Sequence, residues 1–324
     1  MAKYGQLNRY GAIAKKLPFS VGKIFFVVNS AETYLADLQE QFPTDSDGVD
    51  RVYTSLSAAY DATVSNRNDV IMIDGNAAHA LTAMLTVSKS RVHFEGMSVV
   101  DGRKNSQGSR IELATAVAGD VAVIKNTGTR NTFRNLKIVQ NGTNTAQTSA
   151  FIDEGEGTFV EFCNLQVNTL LTTVTQDLLF AGDTCHYKDC QIGTATVYRD
   201  VASGNSLLIA VSNGAYPRYS YFENCTIIIY SSATTAALIR CTGIVGWIKF
   251  ENCTLLSAKK GDGGTAGGAT AEGVVMAATS GYLLFDNRCT SFNCAKFAEA
   301  DAYILNASPV GVAAARGGEG VAGA

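Results

Sequence analysis

The chain has 324 residues, of which 46% are hydrophobic and 17% charged, with a formal net charge of −3. This balance provides no basic surface for nucleic acid, and no apolar run reaches the roughly 18 residues of a membrane span. The first 23 residues are basic but lack the apolar segment of a secretion signal, so the eight cysteines are expected to be reduced thiols.

The N-terminal third mixes strand and helix signals. GKIFFVVNS, residues 22–30, predicts a strand, and Ser30 is expected to cap a helix within AETYLADLQEQF. A second helix is predicted from about Ser55, and DVIMID, residues 69–74, predicts a buried strand. We therefore predict that residues 22–98 form a small α/β cap together with the first coil of a repeating domain.

A short motif then recurs along the chain. It reads FEGM at Phe94, FRNL at Phe133, FCNL at Phe162, YKDC at Tyr187, FENC at Phe222, FENC at Phe250 and FDNR at Phe285. Its third residue is Gly, Asn or Asp, the types that tolerate a left-handed backbone, so each motif predicts a bend. The predicted bends are at Gly96, Asn135, Asn164, Asp189, Asn224, Asn252 and Asn287.

Short apolar stretches between these bends, such as VAVI at Val121 and LLIAV at Leu207, complete a repeat of strand, bend, strand, loop and strand. Repeats of this kind predict a mainly β fold, a right-handed single-stranded parallel β-helix over residues 99–306. Stacking at about 4.8 Å then predicts a ladder of Asn amides at the bends. A column of small apolar side chains is also expected, at Leu136, Leu165, Cys190, Cys225 and Cys253.

Both ends of the chain have the composition of extended arms. Residues 1–21 lack apolar periodicity and contain Lys3, Arg9, Lys15 and Lys16, which we expect to contact an acidic surface on a partner protein. Residues 307–324 are rich in Gly and Ala and are expected to lie flat between subunits.

One group of residues suggests chemistry. Glu223, Glu251 and Asp286 occupy the same outward position of three successive repeats, which predicts an acidic column. Such a column fits a catalytic or metal-binding stripe, but a solvated face of carboxylates is the preferred interpretation. No His or Arg shares the column to complete a lyase-type site, and Trp247, the only Trp, offers little aromatic surface for stacking a sugar.

Other candidate sites are weaker. The loop DSDGVD, residues 45–50, places Pro43 and Thr54 where a calcium loop needs its first and last ligands. His79, His93 and His186 share no metal-ligand spacing, so no metal site and no cofactor are expected. Because the acidic column is interpreted as a solvated face, no enzymatic activity is expected either.

Residues 20–100 resemble the N-terminal part of β-helical virion proteins of tailed bacteriophages. The resemblance rests on the segments GKIFFV, DGVDRVYTSLSAA and DVIMI; the chain departs from the usual PG after the last of these, with GNAAH from Gly75. It implies a non-enzymatic structural protein of the virion, assembled in the host cytoplasm, that decorates or cements the capsid through its arms. The implied partners are the capsid protein and further copies of the chain, with a trimer as one arrangement.

Two alternatives stay open. One is a tail-associated fibre or spike that binds a receptor, with a host surface glycan as its partner. The other is a polysaccharide-degrading β-helix enzyme, which would be recognised by an acidic pair facing a groove beside aromatic side chains. The Gly/Ala-rich tail favours a place on the phage head over the fibre or spike, and the sequence shows no acidic pair of the kind that the enzyme needs.

Overall fold

Short parallel strands follow one another along the chain in a repeating order of three. The computed structural model describes residues 22–97, 109–113, 121–142, 148–168, 175–198, 204–231, 236–258, 271–278, 280–294, 297–298 and 304–306. Both predicted arms, with Lys3, Arg9, Lys15 and Lys16, lie outside these ranges.

The strands, numbered along the chain, form three parallel sheets. Sheet 1 contains β1 (Ile24–Val27), β2 (Val52–Tyr53), β3 (Asp69–Ile73), β6 (Val92–Gly96), β9 (Thr132–Arg134), β12 (Phe159–Glu161), β15 (His186–Lys188), β18 (Ser220–Glu223), β21 (Trp247–Glu251), β24 (Tyr282–Phe285) and β26 (Ile304–Asn306). Sheet 2 contains β4 (His79–Leu81), β7 (Ser109–Leu113), β10 (Leu136–Gln140), β13 (Asn164–Val167), β16 (Gln191–Gly193), β19 (Thr226–Tyr230), β22 (Thr254–Ala258) and β25 (Thr290–Phe292). Sheet 3 contains β5 (Leu85–Val87), β8 (Ile124–Asn126), β11 (Ser149–Asp153), β14 (Gln176–Phe180), β17 (Asn205–Ile209), β20 (Ala237–Cys241) and β23 (Glu272–Met276).

Each coil contributes one strand to each sheet, and each strand pairs with its counterpart in the next coil. In the repeated FENC motifs, for example, Phe222 pairs with Phe250 and Glu223 with Glu251. The phenylalanines are fully buried while the glutamates point outward, as expected from alternation along a strand. The predicted right-handed parallel β-helix is therefore confirmed.

Aromatic rings stack through the centre of the helix. Tyr187, Phe222, Phe250 and Phe285 form a continuous pile with centroids 4.9, 5.0 and 4.7 Å apart. Val160 takes the equivalent position in an earlier coil, because it pairs with both Phe133 and Tyr187. The aromatic column is therefore interrupted where the motif FCNL led us to expect a phenylalanine.

The predicted bends hold in four coils. Asn135, Asp189, Asn224 and Asn252 have φ angles between 50° and 56°, in the left-handed region. The amide ladder is shorter than predicted: Asn252 Nδ2 donates to Asn224 Oδ1 at 2.7 Å, but Asn135 Nδ2 donates to the carboxylate of Glu95 at 2.6 Å.

Three predicted bends are wrong. Asn164 lies within β13, where it pairs with Lys137, and the left-handed residue of that coil is Phe162, with φ 53°. The error is one of register, because Val160 occupies the inward place that we assigned to Phe162. The same shift puts Cys163 after the bend, so Leu165 does not belong to the column of small side chains.

Asn287 is the second wrong bend, since it is absent from the left-handed residues of the described chain. A tight turn replaces the bend: Cys289 N donates to Asp286 O at 3.2 Å, and Arg288 N donates to Asp286 Oδ1 at 3.1 Å. Gly96 ends β6 rather than forming a bend; a Cβ there would lie 2.0 Å from the carbonyl oxygen of Asn135.

Two helices cover the N-terminal end. Helix α1 (Leu35–Gln41) begins after Tyr34 without a side-chain cap, so the predicted cap at Ser30 is wrong. Helix α2 (Leu56–Ala62) begins as predicted, with Ser55 Oγ accepting from the backbone N–H of Ala58. Helix α2 contributes to the main core, whereas α1 packs on the outer face of sheet 1. Neither is long and apolar enough to cross a membrane, and the same holds for every helix within the described ranges.

Candidate functional site

A column of charged side chains runs along the outer face of sheet 1. Successive strands place these residues in direct register: Glu95, Arg134, Glu161, Lys188, Glu223 and Glu251. The acidic column predicted from the sequence is thus the end of a longer mixed column. Burial raises the pKa of Glu95 at the other end, where Arg134 Nη1 lies 3.6 Å from its carboxylate.

Glu223 and Glu251 are adjacent members of this column, and their carboxylates have separate partners. The ring nitrogen Nε2 of His186 lies 3.0 Å from Glu223 Oε2, and Lys188 Nζ lies 3.4 Å from Glu223 Oε1. Lys249 pairs with Glu251. Because the two glutamates are directly paired across neighbouring strands, their backbones are about 4.8 Å apart. Two oriented carboxylates therefore face outward side by side.

Asp286, the third predicted member, is placed differently. It follows Phe285, which pairs with Phe250, so it comes next in the column. However, its carboxylate accepts the backbone N–H of Asn252 at 3.0 Å and the side chain of Arg288 at 2.8 Å. These bonds make Asp286 part of a turn rather than a carboxylate presented to a ligand.

A row of rings lies beside the carboxylates. We define the aromatic strip as Phe159, His186, Tyr221, Trp247 and Tyr219, whose successive ring centroids are 5.4, 6.1, 5.1 and 5.8 Å apart. Tyr219 and Tyr221 are 44% and 39% exposed. Tyr282, which pairs with Trp247 in the next coil, is 45% exposed and continues the strip.

The local backbone explains how these rings come together. Phe159, His186 and Tyr221 occupy one outward position of three successive strands, so they stack along the helix axis. The ring of Tyr219 lies over Gly246, whose φ is 79°, and a Cβ at Gly246 would approach Tyr219 Cε1 to 2.6 Å. A glycine is needed at this turn for both its conformation and the close approach of the ring.

The strip is exposed, although the same face of the sheet is covered elsewhere. Near the N-terminal end, α1 packs Leu38 against the outward side chains of Phe26, Val70 and Met72. Tyr219, Tyr221 and Tyr282 keep about two-fifths of their surface in solvent, and large exposed apolar patches on a protein generally mark a binding surface. Together with the carboxylates, the strip is the strongest candidate site in the described residues.

Other polar clusters are less suited to bind a ligand. Asp153 accepts hydrogen bonds from Tyr187 and Asn126 at 2.8 and 2.9 Å, but it is fully enclosed in the core. In the loop that resembles a calcium site, the ammonium of Lys23 contacts Asp45 and Asp47. Among the described residues, no three His, Cys, Asp or Glu side chains are arranged to hold a metal ion.

The sequence interpretation missed His186 and the aromatic strip. We considered the histidines only as metal ligands, and we sought partners for the carboxylates only within their own column. The motif alignment already placed Lys188 opposite Glu223, and extending it by one residue toward the N-terminus places His186 opposite Tyr221. The sequence therefore contains the information, but only a comparison of two neighbouring outward columns, the charged one and the aromatic one, reveals it.

No family model matches the chain, and no curated protein matches it. Solved structures with a similar fold include a pectin methylesterase in complex with a hexasaccharide, with a TM-score of 0.53, 14% identity and 89% of each chain covered. The pectin methylesterase of Aspergillus niger has a TM-score of 0.48 and 14% identity over 90% of this chain and 83% of its own. PemA of Erwinia chrysanthemi has a TM-score of 0.45 and 13% identity over 89% and 88%. At these identities, the likeness establishes the fold alone.

The expected function as a capsid-decorating phage protein is contradicted. The similar structures are pectin methylesterases, and no phage protein is among those described. Of the features that we named for the enzyme alternative, the structure contains the acidic pair and the aromatic side chains beside it, both on the exposed outer face of sheet 1. The N-terminal resemblance to virion proteins itself stays a prediction.

Proposed function

We propose that the protein binds a polysaccharide along the outer face of sheet 1 and hydrolyses it at Glu223 and Glu251. The observation that carries the proposal is the contact between the two features: Glu223 bonds to His186, which is itself a member of the aromatic strip. A pectin methylesterase of similar fold that holds a hexasaccharide supports the binding part of the proposal, because this fold can bind a sugar chain.

The strip suits a sugar chain in both shape and chemistry. From Phe159 to Trp247 it crosses β12, β15, β18 and β21, a distance of about 14 Å, which is several sugar rings. Exposed Tyr and Trp rings offer an apolar face to sugar C–H groups and a polar edge to hydroxyls. A linear partner with a repeating unit matches a surface that itself repeats at every coil.

The paired carboxylates suit hydrolysis of a glycosidic bond. This reaction uses one carboxyl group to protonate the leaving oxygen and a second one to attack or stabilise the sugar. The backbones of Glu223 and Glu251 are one strand spacing apart. Side chains that extend in parallel from this pair would bring the carboxyl groups near the 5–5.5 Å of enzymes that retain configuration. We therefore expect retention, with His186 and Lys188 orienting Glu223 for its role.

Binding is tested by affinity electrophoresis in gels that contain one of a panel of polysaccharides. We expect retardation of the wild-type protein by at least one polymer, and at least tenfold weaker binding for Tyr221→Ala and Trp247→Ala. The matched control is Phe292→Ala, which removes a 45% exposed ring from sheet 2 and should bind as the wild type does. Equal retardation of all four proteins would refute the strip as the binding surface.

Hydrolysis is tested by release of reducing ends from the polymer that binds. Glu223→Gln and Glu251→Gln should each lose activity about 100-fold or more, as for other general acid–base groups, while still binding. Glu40→Gln, at an exposed position of α1, is the control for loss of a carboxylate. If the bound polymer is never cleaved, or if both variants cleave it normally, the catalytic part of the proposal is wrong.

A further inference from the structure

We infer that the polysaccharide is electrically neutral. This inference rests on the proposed function and names the substrate class of the same site. It follows from the charges around the aromatic strip rather than from the fold, because the similar structures show the fold alone.

Acidic groups outnumber basic groups on this surface. The surface around the strip is formed by the sheet 1 strands from β12 to β24 with their flanking turns, residues 155–161, 183–189, 217–224, 245–252 and 280–288. These segments contain seven carboxylates, at Glu156, Glu161, Asp183, Asp189, Glu223, Glu251 and Asp286. They contain four basic residues, at Lys188, Arg218, Lys249 and Arg288, and a fifth, Arg134 of the preceding strand β9, bonds to Glu161 at 2.8 Å. A polyanion approaching this face would therefore meet a repulsive field.

Each of the four cations also has a carboxylate partner on the protein. Arg218 Nη2 lies 2.6 Å from Asp183 Oδ2, and Arg288 Nε lies 2.8 Å from Asp286 Oδ2. Lys188 pairs with Glu223 and Lys249 with Glu251, as described above. A carboxylate or sulfate group of an acidic sugar would have to compete with these carboxylates for the cations, so the surface is not prepared for an anionic ligand.

The groups that remain suit a neutral sugar. The aromatic side chains contribute equally to binding a charged or an uncharged sugar ring. The hydrogen-bonding groups beside them are the ion-paired side chains, which can still accept hydrogen bonds from sugar hydroxyls or donate to them. A neutral ligand forms no ion pairs with the protein, so there is no attraction between charges for salt to screen. Its affinity should therefore depend little on ionic strength.

The test compares neutral and anionic polymers in affinity electrophoresis. The probes are galactomannan, xylan and mixed-linkage β-glucan on one side, and polygalacturonate and alginate on the other, each at low and high salt. We expect retardation by a neutral polymer, with less than a twofold change in affinity between the salt conditions, and none by the polyanions. Retardation by a polyanion that weakens with salt would overturn the inference while leaving the proposed function intact. Retardation by no polymer would refute the proposed function itself.

A charge variant tests the physical reason. Asp183→Asn leaves Arg218 without its carboxylate and should gain measurable retardation by polygalacturonate. Glu156→Gln removes the same charge from the neighbouring coil without removing the partner that bonds Arg218, so it should gain less. If Asp183→Asn is not retarded by polygalacturonate, releasing Arg218 from its partner does not allow it to bind an anion. The physical reason given for a neutral ligand would then be wrong.

Discussion

Thr184 should be a site where a single substitution stabilises the β-helix. It sits at the turn that enters β15 with φ 52°, a conformation rarely adopted by a β-branched residue, and its side chain is exposed. Glycine takes the left-handed conformation at the equivalent turns of other coils, at Gly157 and Gly281. The left-handed conformation costs a residue with a Cβ roughly 1–2 kcal/mol. Replacement by glycine removes this cost, but glycine loses more backbone entropy on folding. That loss offsets about 0.5–1 kcal/mol of the gain.

Thr184→Gly should therefore raise the free energy of unfolding by about 0.5–1 kcal/mol, and Thr184→Asn by a similar amount, since Asn tolerates this conformation. Urea unfolding followed by circular dichroism measures the change. The control is Thr86→Gly, at an exposed position within β5, where glycine should destabilise by a comparable amount. If Thr184→Gly lowers the midpoint as Thr86→Gly does, backbone strain at this turn is not what limits stability.

Three further predictions concern the core and the strip. Cys225 and Cys253 are buried, and burial raises the pKa of the Cys253 thiol, so a thiol reagent should label Cys289 first in the native protein; fast labelling of the buried pair would show that the register is wrong. Burial lowers the pKa of His93 to about 4, so the unfolded chain binds a proton that the native state excludes, and stability should fall as pH drops from about 6.5 to 4. His93→Gln should flatten that fall by up to about 3 kcal/mol, and an unchanged pH profile would contradict it. Gly246→Ala should destabilise by about 1–2 kcal/mol and shift tryptophan emission, because its Cβ would displace the neighbouring tyrosine ring; wild-type emission would argue against that packing.

Much of the fold follows from local chemistry that recurs. Asn and Asp at bends, an inward Phe two residues before and a small residue after them are repeated often enough to predict the coil. The prediction failed where one coil satisfies the same backbone with other residues. Phe162 adopts the left-handed conformation that Asn holds elsewhere, and Val160 replaces an aromatic ring, so matching by residue type shifted that coil by two positions.

The site was harder to predict for a different physical reason. Its residues, such as His186 and Tyr221, belong to different coils and come together only through the register between strands. The acidic column was found because its members are chemically alike, whereas the aromatic strip contains Phe, His, Tyr and Trp at two neighbouring positions. The expected phage function depended on arms outside the described residues and on an N-terminal resemblance, neither of which contains the strip.

The most direct test of the account uses the emission of Trp247, which is the only Trp in the chain and lies within the strip. Titration with a soluble oligosaccharide of the polymer that retards the protein should change the emission saturably. The same titration of Tyr221→Ala should require at least ten times more ligand. Emission that stays constant while the oligosaccharide binds would place the glycan elsewhere on the molecule and contradict the central claim.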